Sequence, residues 1–214
     1  AAEQEERIFE IVNHLNQGSD LIQQESERQE LARLNLLAAQ KARDSTAYGA
    51  ALEYCTRGLH LLGARGWQEQ YDLTLTLGSA AAEAAYMSHS FETMDELVQL
   101  VQNHTHQPLE QVRVYQVKIQ ALICQDRLPE AIQTGREILK LLGVTLPDRP
   151  GEEEASAALS NLQWQLQNLE IASLLDRPAM TDPEAEAIMQ ILASLIPPTY
   201  NLMTHLFVLL VVHQ

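Results

Sequence analysis

The stretch "NHTHQP" places two imidazoles, His104 and His106, one residue apart, and two neutral imidazoles at that spacing can share a metal ion. A structural or catalytic metal needs further donors, and no nearby Cys, Asp or Glu completes the set. A polar loop between helices is the plainer reading, and no metal is expected. His14 and His60 are the histidines that could accept a phosphoryl group, but neither stands in an H-E phosphoacceptor context. Glu152, Glu153 and Glu154 could serve as catalytic carboxylates or hold a cation. Three acids in a row at a helix start are more simply explained by the helix dipole. Cys55 and Cys124 could sense oxidants, yet both fall inside apolar helical patterns, where a thiol is a small core residue, and neither has a clearly placed cation to lower its pKa. Tyr48, Tyr86 and Tyr115 could line an aromatic groove, although their helical spacing favours packing between helices. Neither GxxxxGK[ST] nor the Gly-rich loop, HRD and DFG of protein kinases is present. The chain is therefore expected to hold no ATP site, no catalytic residue and no cofactor.

Composition narrows the partners. A formal net charge of -15 repels nucleic-acid phosphates and anionic membrane surfaces alike, and no cluster of five Lys or Arg residues offsets it. Aromatics make up 5% of the chain and β-branched runs are nearly absent, so the composition is helical. Two cysteines without a framework, and the charged opening "AAEQEERIFE" in place of a signal peptide, point to a reducing cytoplasm. The apolar run from Ile188 to Val212 is interrupted by Pro197-Pro198, Asn201, Thr204 and His205. Its clean stretch "LFVLLVV" is far short of the roughly 20 residues that span a bilayer. A buried or interface helix pair is expected there.

The elements that must carry these residues follow from apolar spacing. In "LPEAIQTGREILKLLG" the residues Leu128, Ala131, Ile132, Gly135, Ile138, Leu139 and Leu142 form one stripe, and in "YGAALEYCTRGLHLLG" Tyr48, Ala51, Leu52, Cys55, Gly58, Leu59 and Leu62 repeat it. Gly143 and Gly63 then stand where a helix ends in a left-handed residue. Helices are predicted before Gly18, through "ERQELARLNLLAAQKARDS", from about Ser45 to Leu62, Trp67 to Met87, Phe91 to His104, Pro108 to Cys124 and from Leu128. The Ala80–Ala85 region allows close helix approach. "TLPDRPGEEE" predicts an exposed loop into a helix from Glu152 to about Glu170, and "LLDRPAM" a second break. Asp182-Pro183 should then cap a helix that Pro197-Pro198 ends. Aligning the second helices of each pair puts Tyr48, Phe91 and Leu128 together, then Ala51, Met94 and Ala131. The first helices align Ala39 with Ala82 and leave Ile119 a misfit. A small residue, a turn and an aromatic in this order resemble the tetratricopeptide pattern, with spacings longer than its period of roughly 34 residues.

Three stretches, "EERIFEIVNHLNQGSDLI", "ELARLNLLAAQKARDSTAYGAALEY" and "LLDRPAMTDPEAEAIMQILASL", carry a wider resemblance. Together they resemble the helical-repeat region of large bacterial multi-sensor signalling kinases. In those proteins a serine/threonine kinase domain is followed by an AAA/STAND-type ATPase, this helical region, a GAF sensor domain and usually a histidine kinase. The resemblance implies a place between modules and transfers no catalytic residue.

The expectation is thus an all-α fold of antiparallel helix pairs stacked as a tetratricopeptide-like α-solenoid. Residues 1–146 would hold the repeats and a lead-in helix, and 147–214 a continuing helical segment. The function expected is a non-catalytic scaffold and interaction region of a signalling kinase; the alternatives are a peptide-binding adaptor and a solenoid that senses a small effector. Its partners would be protein, with neither nucleic acid nor membrane insertion. The helix at the start has no preceding loop and the last helix stops in apolar residues, as in a piece of a longer protein. Leu206, Phe207, Leu209 and Leu210 would then leave an apolar face for a two-fold homodimer.

Overall fold

A computed structural model describes residues 2–167 and 179–213, and among them every regular element is helical. In chain order these are α1 (Ala2–Gln17), a 3-10 turn (Ser19–Leu21), α2 (Glu25–Asp44), α3 (Tyr48–Leu62), α4 (Gly66–Glu69) and α5 (Tyr71–Met87). They continue with α6 (Phe91–His104), α7 (Pro108–Cys124), α8 (Leu128–Leu141), α9 (Glu152–Gln167), α10 (Pro183–Leu202) and α11 (Thr204–His213). The chain divides into two compact units, Ala1–His106 and Gln107–Gln214. The division falls at the start of α7, and α8 packs against both α7 and α10 within the second unit.

In the first unit each helix packs on its successor, α1 on α2, α2 on α3, α3 on α5 and α5 on α6. Ala81, Ala82, Ala84 and Ala85 are all buried, which is what lets α5 lie close to its neighbours. Gly58 and Gly78 extend the same device. A Cβ on Gly58 would stand 2.9 Å from a methyl of Leu77, and one on Gly78 would stand 2.9 Å from Val101. Between α1 and α2 the contact is polar at its centre. Asn16 Nδ2 donates to Asn35 Oδ1 at 2.9 Å and Asn35 Nδ2 returns a bond to Asn16 Oδ1 at 2.8 Å, with both residues buried. Phe9 stacks on Tyr54 nearby, and the Tyr54 hydroxyl donates to Asn13.

The second unit is built on α7, α8 and α10, whose Ile119, Leu122, Ile138, Leu139, Ile191 and Leu195 form one core with Leu206 and Leu210 of α11. Each such side chain contributes about 1.5–3 kcal/mol by leaving water. Asp182 Oδ1 accepts the N–H of Glu184 at 3.0 Å, so the cap and the Pro183 start of α10 are as expected from the sequence. At the start of α7 the Glu110 carboxylate accepts the N–H of Gln107 at 2.9 Å.

Three helix pairs share one turn. At Ser45-Thr46-Ala47, Ser88-His89-Ser90 and Gln125-Asp126-Arg127 the middle residue is left-handed, with φ of 59°, 61° and 58°. In each, the N–H after it reaches back five residues at 2.8 Å: Ala47 to Ala42, Ser90 to Ala85, Arg127 to Leu122. The middle residue's own N–H bonds the carbonyl three back, completing a Schellman motif. The following helices then begin at Tyr48, Phe91 and Leu128, and Ala51, Met94 and Ala131 are buried one turn later. The residues aligned from the sequence therefore occupy matching places after matching turns.

Four expectations need correction. Pro197 and Pro198 lie inside α10, which continues to Leu202. Burial of Leu195, Pro198 and Thr199 holds the segment, and the Thr199 hydroxyl donates to Leu195 O at 2.7 Å across the stretch that the prolines deprive of N–H donors. The helix expected from Trp67 to Met87 is broken at Gln70, with φ -136° and ψ 50°. Its side-chain amide accepts from Arg33 Nη2 at 2.9 Å and donates to Gln29 Oε1 at 3.0 Å, both on α2, partners invisible in the local sequence. Gly143 closes a Schellman motif at φ 83°, but Gly63, at φ 56° and ψ -161°, ends α3 by a different turn. Cys55 is buried as expected, whereas Cys124, at the last residue of α7, is exposed. The end of the expected Glu152–Glu170 helix, and the "LLDRP" part of the second break, lie outside the described residues.

Candidate functional site

The residues weighed for chemistry are dispersed. His14 and His60 are exposed on α1 and α3, and Glu152, Glu153 and Glu154 are exposed in the first turn of α9. His104 and His106 are engaged with aromatic rings. The His104 ring stacks on Trp67 with centroids 4.7 Å apart and 12° between planes, and its Nδ1 bonds Leu100 O at 2.8 Å. The His106 ring stacks on Tyr71 at 5.1 Å and 13°. The HxH thus clasps α4 and the start of α5 at the end of the first unit. Among the described residues no group of three His, Cys, Asp or Glu side chains could hold a metal. Tyr115 belongs to the core of the second unit, where burial, and then the Glu137 carboxylate, push its phenol above the ordinary range.

A concavity with polar groups in its lining lies in the second unit, where α8, the loop after it, the end of α10 and the start of α11 meet. Its volume is about 850 Å³. Ile132 and Leu206, both buried, line it together with Leu202 and Met203, and its polar lining includes Arg136, Arg149 and His205.

Arg136 builds this site. From α8 its Nη1 donates to Asp148 Oδ1 at 2.8 Å, and its Nη2 donates to the carbonyls of Pro147 and Asp148, the latter at 2.9 Å. The loop is pinned further by the burial of Leu146 and Pro150, so "TLPDRPG" is anchored at alternate points where the sequence predicts exposure throughout. The Arg136 side chain is 14% exposed and that of Asp148 94%, so the loop brings its carboxylate to the arginine and not the reverse. Arg136 Nε is buried and has no hydrogen-bond partner. Next along the loop, Arg149 is exposed and lines the cavity beside this pair.

The start of α11 also lines the cavity. Its first N–H bonded to a backbone carbonyl before it is that of Phe207, to Met203 O at 2.9 Å, and the N–H groups of Thr204, His205 and Leu206 precede it. None of these polar residues was legible from spacing alone. The one signal was the arginine pair Arg136 and Arg149 flanking a Pro-rich acidic loop in a chain poor in cations.

The four residues expected to form a self-association face are placed unequally. Leu206, Leu209 and Leu210 are buried within the chain's own second unit, and Phe207 is half-buried with its ring edge-on to Tyr200 at 5.4 Å. Tyr200, Leu202 and Val211 are the large side chains that this end leaves exposed. Among the described residues no helix is long and apolar enough to cross a membrane.

Comparison with known proteins places a part of the chain beside a signalling protein. Over 148 residues it is 26% identical to the hybrid signal transduction histidine kinase G of Dictyostelium discoideum, a match covering 65% of this chain and 4% of that protein. The chain thus spans a small fraction of the relative's length. No family model matches the chain, and no solved structure matches it.

Proposed function

We propose that the chain is a non-catalytic helical interaction region of a multidomain signalling kinase, built of degenerate tetratricopeptide-like pairs and linking an ATPase to sensor modules. The observation that carries this reading is the turn repeated at Thr46, His89 and Asp126, with the same hydrogen bonds and the same helix starts. A unit of helix, tight turn and helix that recurs along a chain is the building block of stacked-pair proteins, which bind partners over extended surfaces and pass rigid-body movement between neighbours. The similarity to a hybrid signal transduction histidine kinase supports the signalling context, and the absence of phosphate-binding motifs from the sequence supports a role without chemistry.

The experiment is to express the modules encoded on either side of this chain and measure their binding to it. Binding of an ATPase or sensor module that weakens when a helix pair is forced apart by Ala131→Leu is the expected result. Neighbouring sequence that encodes no such module, or modules that ignore the chain, would overturn the reading. Contact with a second copy through the C-terminal helices is a further part of this proposal. It would rest on Phe207, Tyr200 and Val211, and a strict monomer by light scattering at high concentration would remove it.

A further inference from the structure

The apolar face of α1 is left half open, and its two counterparts in the first unit show what closes such a face. Three helices share a spelling of one acid and two apolar residues: Glu10-Ile11-Val12 in α1, Glu53-Tyr54-Cys55 in α3 and Glu96-Leu97-Val98 in α6. For α3 and α6 the shared turn fixes the same alignment, since it also matches Ala51 with Met94. Burial agrees at Val12, Cys55 and Val98, each 1% exposed or less. It differs along one stripe at i, i+3 and i+7. Ala51, Tyr54 and Gly58 are buried in α3, and Met94, Leu97 and Val101 in α6. In α1 the matching Ile8 is half-buried, and Ile11 and Leu15 are 48% and 42% exposed.

In the two closed cases the first helix of the pair lies on the stripe. α6 packs on α5, where Val101 meets Gly78. α3 packs on α2, where Gly58 faces the carbonyl of Ala32, and Tyr54 is covered further by Phe9 of α1. Both covering helices carry one run of small residues, Ala38-Ala39 and Ala42 in α2 and Ala81-Ala82 and Ala85 in α5, all buried. Among the described residues the helix that packs chiefly on α1 is its successor α2, which meets it on the Asn16 side. A second copy of the chain fits the open stripe poorly, because its alanine runs are already buried in its own pairs.

We propose that the Ile8, Ile11 and Leu15 face of α1 docks one amphipathic helix of a partner protein, bearing the Ala-Ala-x-x-Ala run of α2 and α5 and completing a pair with α1. Small residues on the partner let the two axes approach closely, as they do for α5, and the open leucine and isoleucine supply the apolar area. The inference deepens the interaction role and rests on its helix-pair reading, to which it adds one face and one partner chemistry.

The probe is a synthetic peptide of α2, Glu25–Asp44, whose four acidic and four basic residues balance, so that the acidic chain does not repel it. It is titrated into the labelled full chain while backbone amide signals are followed. The Ile8, Ile11 and Leu15 amides should shift, and Ile11→Lys or Leu15→Lys should weaken binding by about tenfold. Both side chains are already partly in water, so each variant should keep the parent melting temperature, and Leu21→Lys, at a site 83% exposed, should bind as the parent does. The peptide carrying Ala38→Leu, Ala39→Leu and Ala42→Leu should bind far less. No shift of those amides, affinity unchanged in both α1 variants, or equal binding by the leucine peptide would each overturn the site. A chain that dimerises without peptide and becomes monomeric on Leu15→Lys would give the face to a second copy, and would overturn it too. Neighbouring modules that bind a chain the peptide ignores would remove this face and leave the interaction role intact; modules that ignore a chain the peptide binds would do the reverse.

Discussion

Leu195 of α10 occupies the space in which any side chain on Gly135 of α8 would have to begin. Its Cδ2 and Cδ1 lie 2.5 and 2.6 Å, and its Cγ 2.8 Å, from where a Cβ would stand. Alanine in place of a mid-helix glycine normally stabilises by about 0.5–1 kcal/mol. Here the branch point of a fully buried leucine is in the way as well as its tips. Gly135→Ala should therefore cost about 1–3 kcal/mol in denaturant unfolding. Gly49→Ala, with nothing within 4 Å, should be stabilising. A Gly135→Ala protein as stable as the parent would mean that Leu195 can swing aside and that the approach of α8 to α10 is loose.

The left-handed turns make the opposite forecast. Thr46, His89 and Asp126 hold φ near 60° with a Cβ present, a conformation that costs an L-residue about 1–2 kcal/mol and a β-branched one most of all. Glycine should raise stability at all three, by about 0.5–1 kcal/mol at Thr46 and least at Asp126. Thermal denaturation of the three single variants gives the ranking, and a loss at every site would show that the side chains hold the turns.

The reciprocal amide pair of Asn16 and Asn35 should behave asymmetrically. Asn35→Leu alone strands the Asn16 amide in a buried site, at a cost of about 1–3 kcal/mol. Asn16→Leu with Asn35→Leu removes both partners and should cost less than the sum of the singles. A double-mutant cycle in urea reads this directly, and strict additivity would show that the two amides act independently.

Small side chains at the matched positions should resist enlargement. Ala51→Leu and Ala131→Leu force buried contacts and are expected to cost about 1–3 kcal/mol each. The comparison has to be made with the exposed Ala157 of α9, since Ala155, at the acidic helix start, is itself buried. Equal melting temperatures for Ala131→Leu and Ala157→Leu would contradict the packing of α8.

What the sequence discloses here is mostly periodic. Helix bounds at Phe91–His104 and Pro108–Cys124 follow directly from apolar spacing and a proline start, because those signals are local. The break at Gln70 coincides with its side-chain bonds to Gln29 and Arg33, about forty residues away, and the continuation of α10 through Pro197-Pro198 with burial of that segment. Neither is written nearby. The cavity was hidden for the same reason. Arg136, Arg149 and His205 come from three separate elements, and only the return of the loop to α8 brings two of them together. The turn residues Thr46, His89 and Asp126 share a geometry and no chemistry, so the repeat shows in backbone bonds more plainly than in letters.

The stacking of His104 on Trp67 gives the molecule an optical asymmetry. The chain has two tryptophans, and they fall one in each compact unit. Trp67, 9% exposed and covered by an imidazole, sits in a dry setting beside a group that can quench it, whereas Trp164, 66% exposed on α9, faces water. Their emission should differ in wavelength and in response to soluble quenchers. Loss of the first unit would brighten and red-shift Trp67 while Trp164 stayed nearly unchanged, so a fluorescence melt follows the unfolding of the first unit without any label, and comparison with a helix-content melt of the whole chain separates coincident from staggered steps.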